Sequence, residues 1–214
     1  NEESHLALYK QGALTSLVKL SESTSDLAQR YSAMGLRFLA SNPEVRVLVV
    51  QQRKFDPFIH LASSDLLEFR RTAATAFASF TLHEANKPVL VQGGAVAAIL
   101  SLAVLDDLAI KRDAAFALAN LSDTPELQSD LVREGLLKVI ADLAFNDDVR
   151  VQRDAARTYT NLTQTEEVRS QILSLKSLPS ILNLAKSLDV ACQRYSSLSL
   201  CNLCASSHKV RLVE

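Results

Sequence analysis

The sequence predicts an all-α protein, a right-handed α-solenoid of about five three-helix repeats with a period of 41 residues. The first observation is a set of equally spaced arginines: Arg30, Arg71, Arg112, Arg153 and Arg194. The second is that leucines, alanines and other apolar residues recur at fixed distances from each arginine. The third is composition, because five glycines and five prolines in 214 residues are too few turn signals for an all-β fold.

Each arginine of this set is predicted to lie in the third helix of its repeat. In RDAAFALANLSD, from Arg112, and RDAARTYTNLTQ, from Arg153, small or apolar residues follow the arginine at positions two, three, six, nine and ten. At about 100° per residue these positions fall on one side of a helix. The pattern predicts a helix from about Val149 to Thr163 whose buried face allows close packing of its neighbours.

The two shorter helices of each repeat are predicted from the stretch before the third helix. PELQSDLVRE begins a first helix at Pro125, since proline is common at the start of helices. GLLKVIADLAFNDD forms a second helix that is opened by Gly135. The acids at its end suit the N-cap of the following third helix. The predicted caps are Asp65, Asp106, Asp107, Asp147, Asp148 and Asp189.

The turn between the first and second helices carries glycine at Gly12, Gly94 and Gly135. Glycine eases a sharp turn because it adopts positive φ without strain. Arg53 and Lys176 occupy the same position in the other two repeats. The substitution by these residues suggests that the turn does not require positive φ.

The repeats are expected to form one array over residues 1–214, with units at about 1–41, 42–82, 83–123, 124–164 and 165–205 and the start of a further unit at 206–214. Solenoids need polar caps over their terminal repeats, and neither end of the sequence provides one. We therefore expect the chain to be a window from a longer array.

Composition argues against several functional classes. A formal net charge of −1 disfavours nucleic acid as the partner, because a phosphate-binding surface normally needs a strong basic excess. No apolar run approaches the roughly 18 residues of a membrane span. Three cysteines do not form a disulfide scaffold, and NEESHLALYK is neither a signal peptide nor a transit sequence. A cytoplasmic location is expected, with nuclear, ciliary and organelle-surface locations as alternatives.

The repeat resembles a known family at its most regular positions. VQRDAARTYTNLT resembles the third helix of armadillo repeats, and REGLLKVIADL and QGGAVAAILSL resemble the glycine-led second helix. The resemblance to the armadillo family covers the whole chain, and the general style is similar to vacuolar armadillo and β-catenin-like scaffolds. It implies that the third helices line a concave groove for an extended peptide segment of a partner protein.

Asparagine occupies the same position in the last three third helices, at Asn120, Asn161 and Asn202. This position is predicted to lie on the exposed side, and asparagine is a mediocre helix former. Its amide offers a donor and an acceptor, and the resemblance implies that these side chains hold the main chain of the bound peptide. The alternative is that they hydrogen-bond between adjacent third helices and set the twist of the stack.

Charged and apolar residues near the asparagines are the other candidates for partner binding. Four arginines favour acidic groups in the partner: Arg112, Arg153, Arg157 and Arg194. Phe116, Tyr195 and Leu198 are expected to form apolar pockets. Alternatively, the arginines pair with acids of neighbouring repeats, such as Asp113 and Asp154. Importin-α-like proteins carry tryptophan at the position of Phe116, and its absence from this sequence disfavours a nuclear-import role.

Motifs typical of metal sites and enzymes are explained by the repeat. Cys201, Cys204 and His208 have the spacing of zinc ligands, but alanine, serine or threonine occupies the cysteine positions in other repeats, where cysteine packs as a small apolar side chain. The histidines pair with no nucleophile. The sequence predicts a non-enzymatic, cofactor-free scaffold for a protein or peptide. The alternatives are a cytoskeletal, ciliary or organelle-anchoring scaffold with convex or edge binding surfaces, and a regulatory array of an enzyme.

Overall fold

A computed structural model describes residues 2–174 and 177–205 of the chain. Within these residues there are fifteen α-helices and no β-strand, which confirms the all-α prediction. The helices are α1 Glu2–Lys10, α2 Ala13–Ser21, α3 Asp26–Ser41, α4 Pro43–Gln51, α5 Asp56–Ala62, α6 Leu67–Phe80, α7 Asn86–Gln92, α8 Ala95–Ala103, α9 Leu108–Ser122, α10 Pro125–Arg133, α11 Leu136–Leu143, α12 Val149–Leu162, α13 Glu166–Ser174, α14 Leu178–Ala185 and α15 Val190–Cys204. The unit expected to start at 206–214, which includes His208, lies outside the described residues.

Every third helix in this order is the longest of its group. These helices, α3, α6, α9, α12 and α15, start at Asp26, Leu67, Leu108, Val149 and Val190, which are 41 residues apart. The chain divides into two compact units, Asn1–Ala117 and Leu118–Glu214, and the division falls within α9. The predicted helix from about Val149 to Thr163 corresponds to α12.

The core of the first unit is aromatic and closely packed. Phe58 of α5 and Phe77 of α6 each contact Phe80 edge to face, with ring centroids 5.2 and 6.3 Å apart. Ala73 and Ala74 lie on the buried side of α6, where their small side chains allow α3 to approach closely. The arrangement follows the predicted face of small residues in the third helix.

In the second unit a tyrosine, Tyr159, occupies the repeat position of Phe77. Tyr159 of α12 is fully buried, and its hydroxyl lies 2.7 Å from Ser180 Oγ of α14. Ala155 and Ala156 flank it on the buried side of α12. The hydrogen bond satisfies the phenol, which would otherwise be costly to bury.

The turn between the first and second helices has a left-handed backbone wherever it is described. Its φ is +88° at Gly12, +80° at Gly94 and +104° at Gly135. Arg53 also has positive φ, at +52°. The expectation that this turn does not require positive φ was therefore wrong at Arg53, because the arginine accepts a strained conformation there. Lys176 lies outside the described residues.

Aspartates cap three of the third helices. Asp107 accepts a hydrogen bond from the backbone N–H of Ile110 at 2.9 Å, and Asp189 accepts one from Cys192 at 3.0 Å. Asp148 caps α12 in the same way. The predicted cap at Asp65 was wrong, because Leu66 is the N-cap of α6 and makes no side-chain capping bond. Each aspartate satisfies N–H groups that have no partner within the helix.

Side chains of the first helices donate hydrogen bonds to carbonyl groups at the C-termini of the preceding third helices. Asn86 Nδ2 donates to the carbonyl of Phe80 at 3.0 Å in the first unit. In the second unit, Gln128 Nε2 donates to the carbonyl of Ser122 at 2.8 Å, and an Arg169 nitrogen donates to that of Thr163 at 3.1 Å. These donors cover carbonyl groups that a helix leaves unpaired at its C-terminus.

No single helix among the described residues has both the length and the apolar composition to cross a membrane. The pair α7 and α8 meets these criteria only when the two helices are taken together, and they are bent by 88° relative to each other.

Candidate functional site

Two of the three asparagines bridge neighbouring third helices. Asn161 of α12 donates from Nδ2 to the carbonyl of Ala119 at 3.2 Å and to Ser122 Oγ at 3.0 Å. Asn202 of α15 donates from Nδ2 to Thr163 Oγ1 at 3.2 Å. Both side chains are half-buried. The amide nitrogens of Asn161 and Asn202 therefore follow the alternative interpretation, in which asparagine hydrogen-bonds between adjacent third helices.

Asn120 differs from the other two asparagines. Only 6% of its surface is exposed, and its Oδ1 accepts a hydrogen bond from Arg157 Nη2 at 2.9 Å. The expectation that this position lies on the exposed side was wrong for Asn120. Arg157 therefore already occupies the acceptor of this amide.

The amide oxygens of Asn161 and Asn202 are acceptors held in fixed positions. Across residues 2–174 and 177–205, no donor makes a hydrogen bond to either Oδ1. Neither oxygen is among the buried polar atoms without a partner, so solvent reaches both. Because the nitrogen of each amide is anchored to the preceding helix, its oxygen can accept a hydrogen bond without reorientation of the side chain.

Two arginines of the repeated column pair with the N-cap aspartates of the next third helix. In the first unit Arg71 lies 2.8 Å from Asp107 Oδ2. In the second unit Arg153 donates to both carboxylate oxygens of Asp189, with 2.9 Å between Nε and Oδ1. Hydrogen bonds from these arginines lower the pKa of Asp107 and of Asp189. Pairing with acids was the alternative interpretation of the column, although Asp113 and Asp154 were the partners expected.

Asp113 and Asp154 are instead partly buried carboxyl groups, and a neighbouring side chain offsets only part of the cost of burying their charge. Burial raises the pKa of Asp113, against a hydrogen bond of 2.7 Å from Thr75 Oγ1. Burial raises the pKa of Asp154 to about 6, against the opposing charge of Arg157 at 3.3 Å. The sequence shows both acids in one column but does not show how deeply they are buried.

Three of the predicted site residues meet on α15. Arg194, Tyr195 and Leu198 line a surface cavity of about 170 Å³ together with Ala191. Arg194 is exposed, and Leu198 is 47% exposed. This cavity places a cation, Arg194, next to the apolar side chains of Ala191 and Leu198.

The remaining predicted residues lie on α9. Arg112 and Phe116 are half-buried and belong to the Asn1–Ala117 unit. The expected site residues are thus distributed over both compact units. Those within the second unit are Asn120, Arg153, Arg157, Asn161, Arg194, Tyr195, Leu198 and Asn202.

The cysteines differ in their surroundings. Cys192 is buried, whereas Cys201 and Cys204 are exposed on α15. The equivalent positions of α12, Thr160 and Thr163, are buried. The expectation of buried packing for Cys201 and Cys204 was therefore wrong. In the part of the chain that the structure describes, no group of three His, Cys, Asp or Glu residues could hold a metal ion.

No protein-family model and no curated protein matches the sequence. Solved structures are similar over nearly the whole chain. A designed armadillo repeat protein in complex with peptide (KR)4 has a TM-score of 0.81 at 20% identity, over 95% of this chain and 87% of that one. Computationally designed armadillo repeat proteins for modular peptide recognition give a TM-score of 0.83 at 20% identity, over 94% and 86%. An engineered protein at 27% identity gives 0.82, over 95% and 50%. The chain therefore has the fold of the armadillo-repeat proteins.

Proposed function

We propose that the chain is a non-catalytic scaffold that binds an extended peptide segment of a partner protein along its third helices. The observation that carries this proposal is the pair of anchored, solvent-accessible amide oxygens of Asn161 and Asn202. An extended peptide needs acceptors for its main-chain N–H groups once it leaves water. A designed protein of the same fold is found in complex with a peptide, which supports the class of ligand.

The spacing of the asparagines suits an extended main chain. Packed helices lie about 8–10 Å apart, and an extended chain advances about 3.3 Å per residue. Asn161 and Asn202 lie on the neighbouring helices α12 and α15. They would therefore accept hydrogen bonds from peptide residues about three positions apart.

Acidic groups in the partner are proposed to bind at Arg194. Arg194 lines the α15 cavity with Tyr195 and Leu198, so an Asp or Glu next to an apolar residue would fit it. Arg153 and Arg157 are less suited to this role. The first is committed to Asp189, and the second contacts Asn120 and Asp154.

The experiment compares the pair Asn161 and Asn202 with a single control asparagine that makes a similar contact. Peptides are selected from a random phage-displayed library against the chain, and their affinity is measured by fluorescence anisotropy. We expect Asn161→Ala with Asn202→Ala to weaken binding by about 10- to 100-fold, since each peptide hydrogen bond contributes about 1 kcal/mol. Circular dichroism should show unchanged helical content.

Asn183→Ala is the matched control. Asn183 of α14 also donates from Nδ2 to a carbonyl of a neighbouring repeat, that of Ala144 at 2.9 Å, but it lies on a second helix. We expect this variant to bind the selected peptides as the parent chain does. Unchanged affinity of the double variant, or an equal loss in Asn183→Ala, would contradict the proposal.

A second candidate function uses the second helices. A larger cavity of about 400 Å³ lies between α11 and α14, lined by Leu137, Lys138, Phe145 and Ser180 among others. Phe145 is 58% exposed there. This surface supports the alternative of a structural scaffold that binds away from the third helices. Selected ligands that are lost with Phe145→Asp but retained in the asparagine variants would favour it.

A further inference from the structure

Three consecutive third helices begin with a large apolar side chain that lies in solvent. Leu67, Leu108 and Val149 are the first residues of α6, α9 and α12, and between 41% and 46% of each is exposed. Each of these helices has another third helix before it and after it in the chain. The first turn of a helix favours proline and acids, so helix formation does not require these side chains. Recurrent exposed apolar groups of this kind point to an interaction site.

In the first unit, ion pairs connect the starts of α6 and α9. Arg71 lies 3.3 Å from Glu68 Oε1 and 2.8 Å from Asp107 Oδ2. Glu68 follows Leu67 in the sequence, and Asp107 precedes Leu108. The two leucines therefore adjoin the two ends of one chain of charges and lie at the same edge of this unit.

Two further apolar residues extend this surface. Leu66 is the N-cap of α6 and Val104 is the C-cap of α8, and both side chains are exposed. We name the surface formed by Leu66, Leu67, Val104 and Leu108 the α6–α9 edge. It combines residues of two consecutive repeats within one compact unit.

A cavity at one end of the α6–α9 edge can take an apolar side chain. It has a volume of about 180 Å³, lies between α3 and α6, and has Leu66 and Leu67 in its lining. The charged residues of the lining are Arg30, Asp26 and Glu68. One cation and two acids thus surround an apolar cavity, and this balance of charge does not favour an acidic ligand.

The charges that reach furthest into solvent beside the α6–α9 edge are also acidic. Asp65 and Asp106 have fully exposed side chains. Their cations are Arg70 at 4.0 Å and Lys111 at 3.6 Å, and the exposed fractions of these side chains are only 29% and 20%. Such pairs with solvent-exposed acids contribute little free energy. Both carboxylates can therefore accept a second cation from a partner.

We propose that the α6–α9 edge binds a basic amphipathic helix of a partner protein. The apolar face of this helix covers the leucines, and its Lys or Arg side chains pair with Asp65 and Asp106. The proposal uses none of the residues assigned to the peptide site above, so either proposal can fail without the other.

The spacing of the leucines favours a helix over an extended segment. Leu67 and Leu108 lie at equivalent positions of neighbouring helices, and packed helices are about 8–10 Å apart. Residues seven apart share one face of a helix and are separated by about 10.5 Å. Residues on one side of a strand are separated by about 6.6 or 13 Å. Only the helix therefore matches both leucines.

The test measures the binding of synthetic helices to the chain by fluorescence anisotropy. The lysine probe is a labelled peptide of about 20 residues, long enough to form a helix, with leucine at every seventh position and lysine beside each leucine. We expect a dissociation constant of about 10–100 µM, as for a small transient interface. The glutamate probe, in which glutamate replaces every lysine, should bind at least about tenfold more weakly.

Variants of the edge separate its apolar and charged contributions. Leu67→Ser with Leu108→Ser should weaken the lysine probe at least about tenfold, because both apolar anchors are lost. Asp65→Lys with Asp106→Lys should weaken the lysine probe and strengthen the glutamate probe, which a purely apolar contact would not do. Leu82→Ser is the matched control, since Leu82 is 52% exposed just beyond the other end of α6.

Asn161→Ala with Asn202→Ala should bind the lysine probe as the parent chain does, which separates the edge from the proposed peptide site. Three results would overturn the proposal. The parent chain could fail to bind the lysine probe, or could bind both probes equally. An equal loss in Leu82→Ser would show that binding is not specific to the edge.

The third result is occupation of the edge by a second copy of the chain. It would appear in sedimentation velocity as a mass above 23.4 kDa that returns to this value in Leu67→Ser with Leu108→Ser. Circular dichroism must show that each variant remains helical.

Discussion

Asp154 is a carboxyl whose protonation is linked to folding. Burial raises its pKa from the ordinary 3.8 to about 6. Between about pH 4 and pH 6 the folded chain therefore binds more protons at this group than the unfolded chain does. The stability contributed by the group is present below pH 4 and is lost as the pH rises through this window.

We expect Asp154→Asn to be more stable than the parent chain by roughly 1–3 kcal/mol at neutral pH. The reason is that asparagine is neutral at every pH in this range, so the free-energy cost of the buried charge disappears. The difference in free energy of unfolding should decrease towards zero near pH 4. Urea denaturation at several pH values measures it, and a constant difference across the series would contradict the linkage.

Asp189→Asn provides a control of opposite sign. Hydrogen bonds from Arg153 lower the pKa of Asp189, so its stabilising contribution is present above the ordinary pKa and is lost as the pH falls below it. Asparagine is an equally good N-cap. We expect the variant to be less stable at neutral pH and to approach the parent chain in acid.

Arg53 has a strained backbone that glycine would relieve. At φ +52° an L-residue costs roughly 1–2 kcal/mol, whereas glycine loses part of this gain as chain entropy. We expect Arg53→Gly to stabilise the chain by about 0.5–1 kcal/mol in thermal unfolding. Gly135→Ala should destabilise by a similar amount, since an added Cβ meets no atom within 4 Å and only the backbone conformation is penalised. No change in either variant would contradict the assignment of strain.

At the scale of elements, two junctions between third helices share an aspartate that pairs with an arginine and caps the next helix, and the junction of α3 and α6 lacks it. Arg71 and Arg153 each pair with an aspartate that also caps the next third helix. The equivalent position after Arg30 is Leu66, which is 44% exposed and caps nothing. Its φ of −83° and ψ of 120° are close to those of the capping Asp189.

We expect Leu66→Asp to stabilise the chain by about 1–2 kcal/mol in chemical denaturation. A new N-cap contributes about 1 kcal/mol, and the exposed pair with Arg30 adds a few tenths. Arg30→Ala in the variant separates the two effects, because it should remove only the smaller one. Destabilisation by Leu66→Asp would show that the leucine makes a packing contribution larger than the cap.

The sequence was sufficient to predict most helices and insufficient to predict the side-chain hydrogen bonds between them. Apolar periodicity placed the third helices, and aspartates identified the caps of α9, α12 and α15. The donors that close the other helix ends were missed. Asn86, Gln128 and Arg169 have different side chains, and they share only a location that is visible once the first helix is packed.

At the scale of the whole molecule, repeat proteins depend on contacts between neighbouring modules, so a local change should have local effects. Phe77→Leu leaves a small cavity in the aromatic core of the Asn1–Ala117 unit. We expect it to lower amide hydrogen-exchange protection by about 1 kcal/mol within α5, α6 and α8, and less in the helices after α9. A uniform decrease across all helices would indicate a single cooperative unit.

The periodicity of one sequence predicted the fold because equal steps along the chain correspond to equivalent positions in successive repeats. It did not predict the partner of each polar side chain, since that partner comes from another module. Asn161 uses its amide nitrogen within the protein, whereas the amide oxygen of Asn120 accepts a hydrogen bond from Arg157. The sequence therefore predicted which surface carries the candidate residues, and the structure corrected the hydrogen-bond partner of each side chain.

The contrasting surroundings of the three cysteines determine which of them reacts with thiol reagents. Cys192 is buried, and burial raises the pKa of its thiol to about 11, so its thiolate is scarce near neutrality. Cys201 and Cys204 are open to solvent near the end of α15. Maleimide dyes would thus attach at two sites on one helix, and the unaltered chain would provide the attachment points for fluorescent reporters on that surface.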